Sequence, residues 1–270
     1  SYIHHSAKAN NSYTNSKPSF MKGLTQVAAW FTKTITKNAA YTGTMKIVFS
    51  ALLLMMGTTS WGQTLTEDFS YTNGQAITAN GWTAISAGGT NAITVTIPGL
   101  SYTGYAGSAV GNCVSLVTSG EDDIKTFTPT ISSGSIYASF IINVTAAHAT
   151  GDYFLATANS NSNFYGRVFI KSSGSGFVIG ASKNSSTGTY DVTERSFGTS
   201  YLVVLKYSII GTNSTSTQDD PVSLFINPIL GGAEPTPTLA NIGVSSQADI
   251  ITTGTFDRIS LRQGTAGNAP

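Results

Sequence analysis

Apolar and polar positions alternate with a period of two in short runs along most of the chain, and Gly, Asn, Ser and Pro break the runs. The clearest run, residues 135–145, puts Ile136, Ala138, Phe140, Ile142 and Val144 on one face. Tyr137, Ser139, Ile141 and Asn143 fall on the other. Residues 165–171 place Val168 and Ile170 opposite Arg167, Phe169 and Lys171, and residues 176–182 follow after a turn at 172–175, which predicts a hairpin. Residues 201–209 are apolar on both faces near their start, as suits a central strand. Residues 221–227 turn Val222, Leu224 and Ile226 inward, and residues 255–262 turn Ile259 and Leu261 inward. Weaker strands are expected at 92–97, 113–117, 124–128 and 152–157. Many short strands without helical periodicity predict an all-β, two-sheet antiparallel sandwich.

One segment breaks this pattern. Lys46 precedes an apolar stretch, Ile47 to Met56, and Ser60-Trp61-Gly62 forms a small-x-small site. That is the layout of a secretory signal peptide at 45–62, with cleavage near Gly62. The apolar stretch is too short to cross a bilayer, which takes roughly 20 residues. Residues 1–44 are polar and aperiodic. They read either as a lead-in foreign to the natural product, disordered ahead of a start at Met45, or as a long preceding region of a protein starting at Met21. The domain is expected at 63–270, exported to the medium or the cell surface, with no membrane span after processing.

Charge divides at the same point. All 13 acidic residues follow the cleavage site, but only 8 of the 14 basic ones do, so the domain carries a net charge of −5. That balance argues against nucleic acid as partner, which needs clustered Lys and Arg. Catalytic chemistry is thinly supplied. His148 is the one histidine after the cleavage site and Cys113 the one cysteine, which excludes a disulfide framework and a Cys-rich metal site. Glu121-Asp122-Asp123 invites a glycosidase reading. Glucanases of jelly-roll form use Glu-x-Asp-x-x-Glu, and here no carboxylate follows at Ile124, Lys125 or Thr126. Calcium is the one cofactor the residues invite, through Asp122, Asp123, Asp219 and Asp220.

The order Glu67-Asp68-Phe69, Asn80-Gly81-Trp82, Gly120-Glu121-Asp122-Asp123, Gly151-Asp152-Tyr153-Phe154, Gly166-Arg167-Val168-Phe169, Tyr201-Leu202-Val203-Val204 and Leu261-Arg262-Gln263-Gly264 resembles a group of secreted bacterial proteins. The resemblance spans about residues 64–270 and implies a concanavalin A-like jelly roll of the laminin-G and lectin type. Members are often followed by a type IX secretion sorting domain. Such proteins usually continue past the Arg-Gln-Gly block with a further apolar strand. The chain stops at Pro270, so a fragment with an unpaired edge is expected.

Arg167, Phe169, Lys171, Lys206, Phe225, Asn227, Arg258 and Arg262 all point away from the inferred core. If their strands are neighbours they form a sugar-binding face, with rings stacking on sugars and Asn and Arg bonding hydroxyl or acidic groups. The expected function is a non-catalytic binding or adhesion module for carbohydrate. The alternatives are a structural or protein-interaction module of a larger surface protein, and a glucanase-like hydrolase.

Overall fold

The computed structural model describes residues 2–5, 63–210, 218–250 and 255–264, with residues 2–5 described as backbone. Fourteen strands among them form two seven-stranded sheets. The first runs, in spatial order, β13 (Leu239–Ile242), β12 (Val222–Ile226), β11 (Ser200–Ile209), β6 (Gly134–Asn143), β1 (Tyr2–His5), β4 (Cys113–Ser115) and β3 (Thr94–Thr96). The second runs β10 (Thr189–Tyr190), β9 (Gly176–Ser182), β8 (Phe164–Ser173), β7 (Asp152–Ala158), β14 (Phe256–Leu261), β5 (Asp122–Ile131) and β2 (Thr83–Ser86). The pairings between neighbouring strands are antiparallel. This is the all-β, two-sheet sandwich that the alternation predicts.

The alternation also places the core. Ile136, Ala138, Phe140 and Ile142 of β6, Val203, Leu205 and Tyr207 of β11, and Val222 and Leu224 of β12 enter it from one sheet. Val168 and Ile170 of β8, Phe177, Ile179 and Ala181 of β9, and Ile259 and Leu261 of β14 enter it from the other. Each fully buried aliphatic or aromatic side chain contributes about 1.5–3 kcal/mol relative to exposure. The β8–β9 hairpin closes through Gly174-Ser175, with Ser173 opposite Gly176. Gly174 adopts φ +55°, the conformation that the first central position of a type II′ turn requires.

The signal segment 45–62 lies outside the described residues, as does the lead-in 1–44 apart from four residues. Within the segment expected to be disordered, the backbone of Tyr2–His5 is a strand between β4 and β6. Nothing in so short a stretch marks a strand by periodicity.

A buried polar network closes one end of the sandwich. Lys183, just past β9, places Nζ 2.5 Å from Asp249 Oδ1, and neither side chain is exposed. Asp249 also accepts from the backbone N–H groups of Asp219 and Asp220. Asp220 accepts from Ile210 N–H at 2.7 Å and from the Tyr207 hydroxyl at 2.9 Å, and Tyr207 Oη accepts from Ile250 N–H. Tyr207 in turn packs edge-on against Phe256, ring centroids 4.8 Å apart. Loops at 183–185, 218–220 and 247–250 are thereby held on one buried charge pair. Removing one partner leaves a dry, uncompensated charge. Lys183→Met is therefore expected to lower stability by about 3–5 kcal/mol in urea denaturation. Lys183→Met with Asp249→Asn, which keeps an acceptor for the loop N–H groups, is expected to recover more than half of that loss.

Candidate functional site

The outer face of the second sheet carries a row of aromatic rings. Phe164 and Phe169 of β8 flank Tyr153 of β7, with centroids 6.2 and 5.6 Å away, and Tyr190 of β10 lies 6.2 Å beyond Phe169. Cations line the row. The Arg167 guanidinium sits 4.8 Å from the Tyr153 ring centre and that of Arg262 4.3 Å. Lys171 Nζ lies 4.3 Å from the ring centre of Tyr190. These are cation–π distances. Phe169 itself is 1 % exposed, beneath Tyr190, Tyr153 and the close backbone of Gly188, where an added Cβ would meet the ring at 2.9 Å. It supports the row and offers no free face.

The cations differ in how they are balanced. Arg262 donates to Asp152 Oδ2 at 2.6 Å and stands 3.9 Å from Asp122. Arg258 pairs with Asp257 at 2.7 Å and bonds Asn161. Arg167 donates only to neutral carbonyls, those of Phe164 and Ser185 at 3.2 Å, and has no ion pair among the described residues. Burial pushes its pKa below the ordinary arginine value. Lys171 likewise has no carboxylate within ion-pair distance among them. For Tyr153, burial raises the phenol pKa, while the charges of Arg262 and Arg167 pull it back.

The eight residues expected to share one face do not. Arg167, Phe169, Lys171, Arg258 and Arg262 belong to the second sheet. Lys206, Phe225 and Asn227 belong to the first, across the core, because β12 pairs with β11 and β11 with β6, and neither pairs with β8. Lys206 is held by both Glu234 oxygens, at 2.7 and 3.0 Å. Phe225 is 3 % exposed. Asn227, at φ +50°, clasps the chain end of β12 by exchanging bonds with the backbone of Leu202. These three form no part of the aromatic row. That outer face of the first sheet holds its own cleft of about 290 Å³, floored by Leu202 and Val204 and walled by Tyr105 and Tyr137.

Tyr153, Phe164, Tyr190 and Asp152 are the site residues that alternation misses. Counting by twos along β7 groups Tyr153 with Leu155 and Thr157, whose partner Ile259 faces the core. A register shift between Tyr153 and Leu155 breaks the count, sends both Phe154 and Leu155 into the core and leaves Tyr153 outside.

The four expected calcium ligands do not come together as one cluster. Asp122 and Asp123 are successive strand residues and point to opposite faces. Asp122 accepts from Ser86 and from Gln263 N–H, whereas Asp123 is opposite the core residue Leu261. Asp219 and Asp220 do meet a third carboxylate, Asp249, with ligand atoms within 4.8 Å. There the Lys183 ammonium already supplies the cation, and N–H and O–H donors take the buried oxygens of Asp220 and Asp249.

The glucanase-like pair is also misplaced. Glu121 and Asp123 are 2 % and 0 % exposed and face inward, away from the aromatic row. Both Asp123 oxygens and Oε1 of Glu121 lack a hydrogen-bond partner among the described residues. Burial, then the charge and proximity of Glu121, push the Asp123 carboxyl up to about 7. His148 is half-buried in the 145–150 loop, and Cys113 is buried with its thiol against the carbonyls of Thr96 and Pro98. Among the described residues, no helix is long and apolar enough to cross a membrane.

No family model and no curated protein matches the chain. Solved structures similar to it include a heptameric SAP-like pentraxin from Limulus polyphemus, at 14% identity over 65% of this chain and 66% of that one, TM-score 0.34. An endo-β-1,4-glucuronan lyase from the fungus Trichoderma reesei matches at 8% identity over 67% of this chain and 82% of its own, TM-score 0.38. An alginate lyase matches at 10% over 67% and 86%, TM-score 0.41. Two of these three are enzymes. The expectation of a non-catalytic chain is therefore corrected: structures similar to this one include polysaccharide lyases, and the sandwich is no ground for excluding catalysis.

The buried Asp123 gives a pH dependence with a definite sign. Its folded pKa, about 7, lies above its ordinary value of 3.8, so the folded state binds the proton more tightly. The stability it supports is full below pH 4 and is lost as pH rises towards 7. In denaturation series from pH 4 to 8, the wild type is expected to lose stability relative to Asp123→Asn, with the difference flattening above neutrality.

Proposed function

We propose that the protein is exported and binds an acidic polysaccharide across the aromatic row of the second sheet. One observation carries the reading: Arg167 is a desolvated guanidinium stacked on Tyr153 with no carboxylate bound to it among the described residues. Such a group favours an incoming anion, and a guanidinium matches a carboxylate or sulfate with two parallel hydrogen bonds. Lys171, on the far side of Phe169 along the same strand, adds a second cation without an ion pair among the described residues. Residues four apart on one strand lie about 13 Å apart, so these two cations are spaced for non-adjacent acidic units of one extended chain. The half-buried rings of Phe164 and Tyr190 offer apolar faces for sugar stacking. The domain's net charge of −5 makes this cationic strip a local feature, which favours a ligand with spaced charges over nucleic acid. Export is supported by the layout of residues 45–62.

Affinity electrophoresis and calorimetry with alginate, polygalacturonate and neutral laminarin test the reading. Binding is expected to the two uronates, weakening with salt, and not to laminarin. Arg167→Ala is expected to weaken uronate binding by about tenfold or more, and Lys171→Ala by less. Equal binding of laminarin, or an unchanged affinity in Arg167→Ala, removes the proposal.

A further inference from the structure

β1 is a four-residue strand on which the continuity of the first sheet depends. It joins β13-β12-β11-β6 on one side to β4-β3 on the other. Tyr2 is opposite Asn143 and Ser115, Ile3 opposite Ile142 and Val114, His4 opposite Ile141, and His5 opposite Phe140. Directly opposite residues in an antiparallel ladder share a face. Phe140, Ile142 and Val114 belong to the core, so register positions 3 and 5 are core-facing and positions 2 and 4 face out. The slot therefore calls for apolar residues at two alternate positions. The chain places isoleucine at one and histidine at the other, and a histidine is a poor match to a core-facing register.

Two more features show that the slot suits a longer and more apolar strand. β1 is in register with Phe140–Asn143 alone, whereas β6 runs from Gly134 to Asn143. Past Asn143 and Ser115, a cleft of about 400 Å³ lies between Leu116, Val117 and Thr118 on one flank and residues 145–148 on the other. It continues the line of the slot. In addition, residues 6–62 separate β1 from the rest of the sandwich in sequence, and the proposed export, with cleavage near Gly62, would sever that link.

We infer that the space between β4 and β6 is a strand-acceptor site for an extended segment of another polypeptide, with apolar residues at alternate positions, and that Tyr2–His5 is its weak resident. A strand inserted there bonds to a neighbour on both sides. That gives it twice the ladder of a strand added at a sheet edge, and its alternate side chains complete the core.

The test uses the full chain and a synthetic peptide alternating Thr and Ile, with a Thr/Lys peptide as control. Hydrogen exchange of the wild type is expected to slow at the amides of both β4 and β6 when the Thr/Ile peptide is added, and not with the control. Ile3→Pro, which removes a ladder donor from β1, is expected to tighten peptide binding by roughly tenfold, because the resident strand no longer competes. Absence of added protection in either strand, or equal protection from the Thr/Lys peptide, overturns the inference. So does an Ile3→Pro protein that folds and binds the peptide no better. Should Ile3→Pro not fold, exchange in the wild type alone decides.

Discussion

Two seven-stranded sheets share one core, and each strand can turn only alternate side chains into it. This constraint decides more about the molecule than any single contact. It fixes which residues are spent on packing and leaves each sheet one outer face for everything else. The two outer faces lie on opposite sides of the core, so residues on β11 and β12 cannot work with residues on β8 and β14, however similar their chemistry. Where a strand departs from strict alternation, function gains a residue: the register shift in β7 releases Tyr153 from the core to become the centre of the aromatic row.

Charge is handled differently inside and outside. Inside, the Lys183–Asp249 pair has its remaining oxygens taken by loop N–H groups, so a costly buried pair becomes the point on which three loops converge. Asp123 lacks such donors among the described residues, and the folded protein instead holds a proton there more tightly. Outside, most cations of the second sheet have carboxylate partners. Arg167 and Lys171 are the exceptions among the described residues, and at Arg167 a partly desolvated cation bonded only to carbonyls is a place where an anionic ligand adds favourable energy rather than displacing an internal partner.

The sheets also differ in self-sufficiency. The second joins a local meander, β7 to β10, to β5 and β2 through the six residues of β14, whereas the first is joined across its middle by four residues. A core-facing histidine register within so short a strand makes this the least specified pairing in the sandwich, since register is strongly set only where the buried face is apolar.

Alternation in the sequence was enough for the all-β class, for the inward faces of β6, β8, β12 and β14, and for the grouping of Arg167, Phe169 and Lys171. These follow from the two-residue pleat, which is local. Strand neighbours are not local: that Lys206, Phe225 and Asn227 stand across the core from Arg167 depends on which strands pair, and nothing within each run encodes that. Nor could the run reveal that Phe169 is covered by the loop carrying Gly188, or that Lys183 and Asp249, far apart in sequence, meet in a dry interior. The sequence alone determined which residues β6, β8, β12 and β14 turn into the core. Only the tertiary structure decided which strands lie side by side, because pairing is settled by packing summed over the whole sandwich.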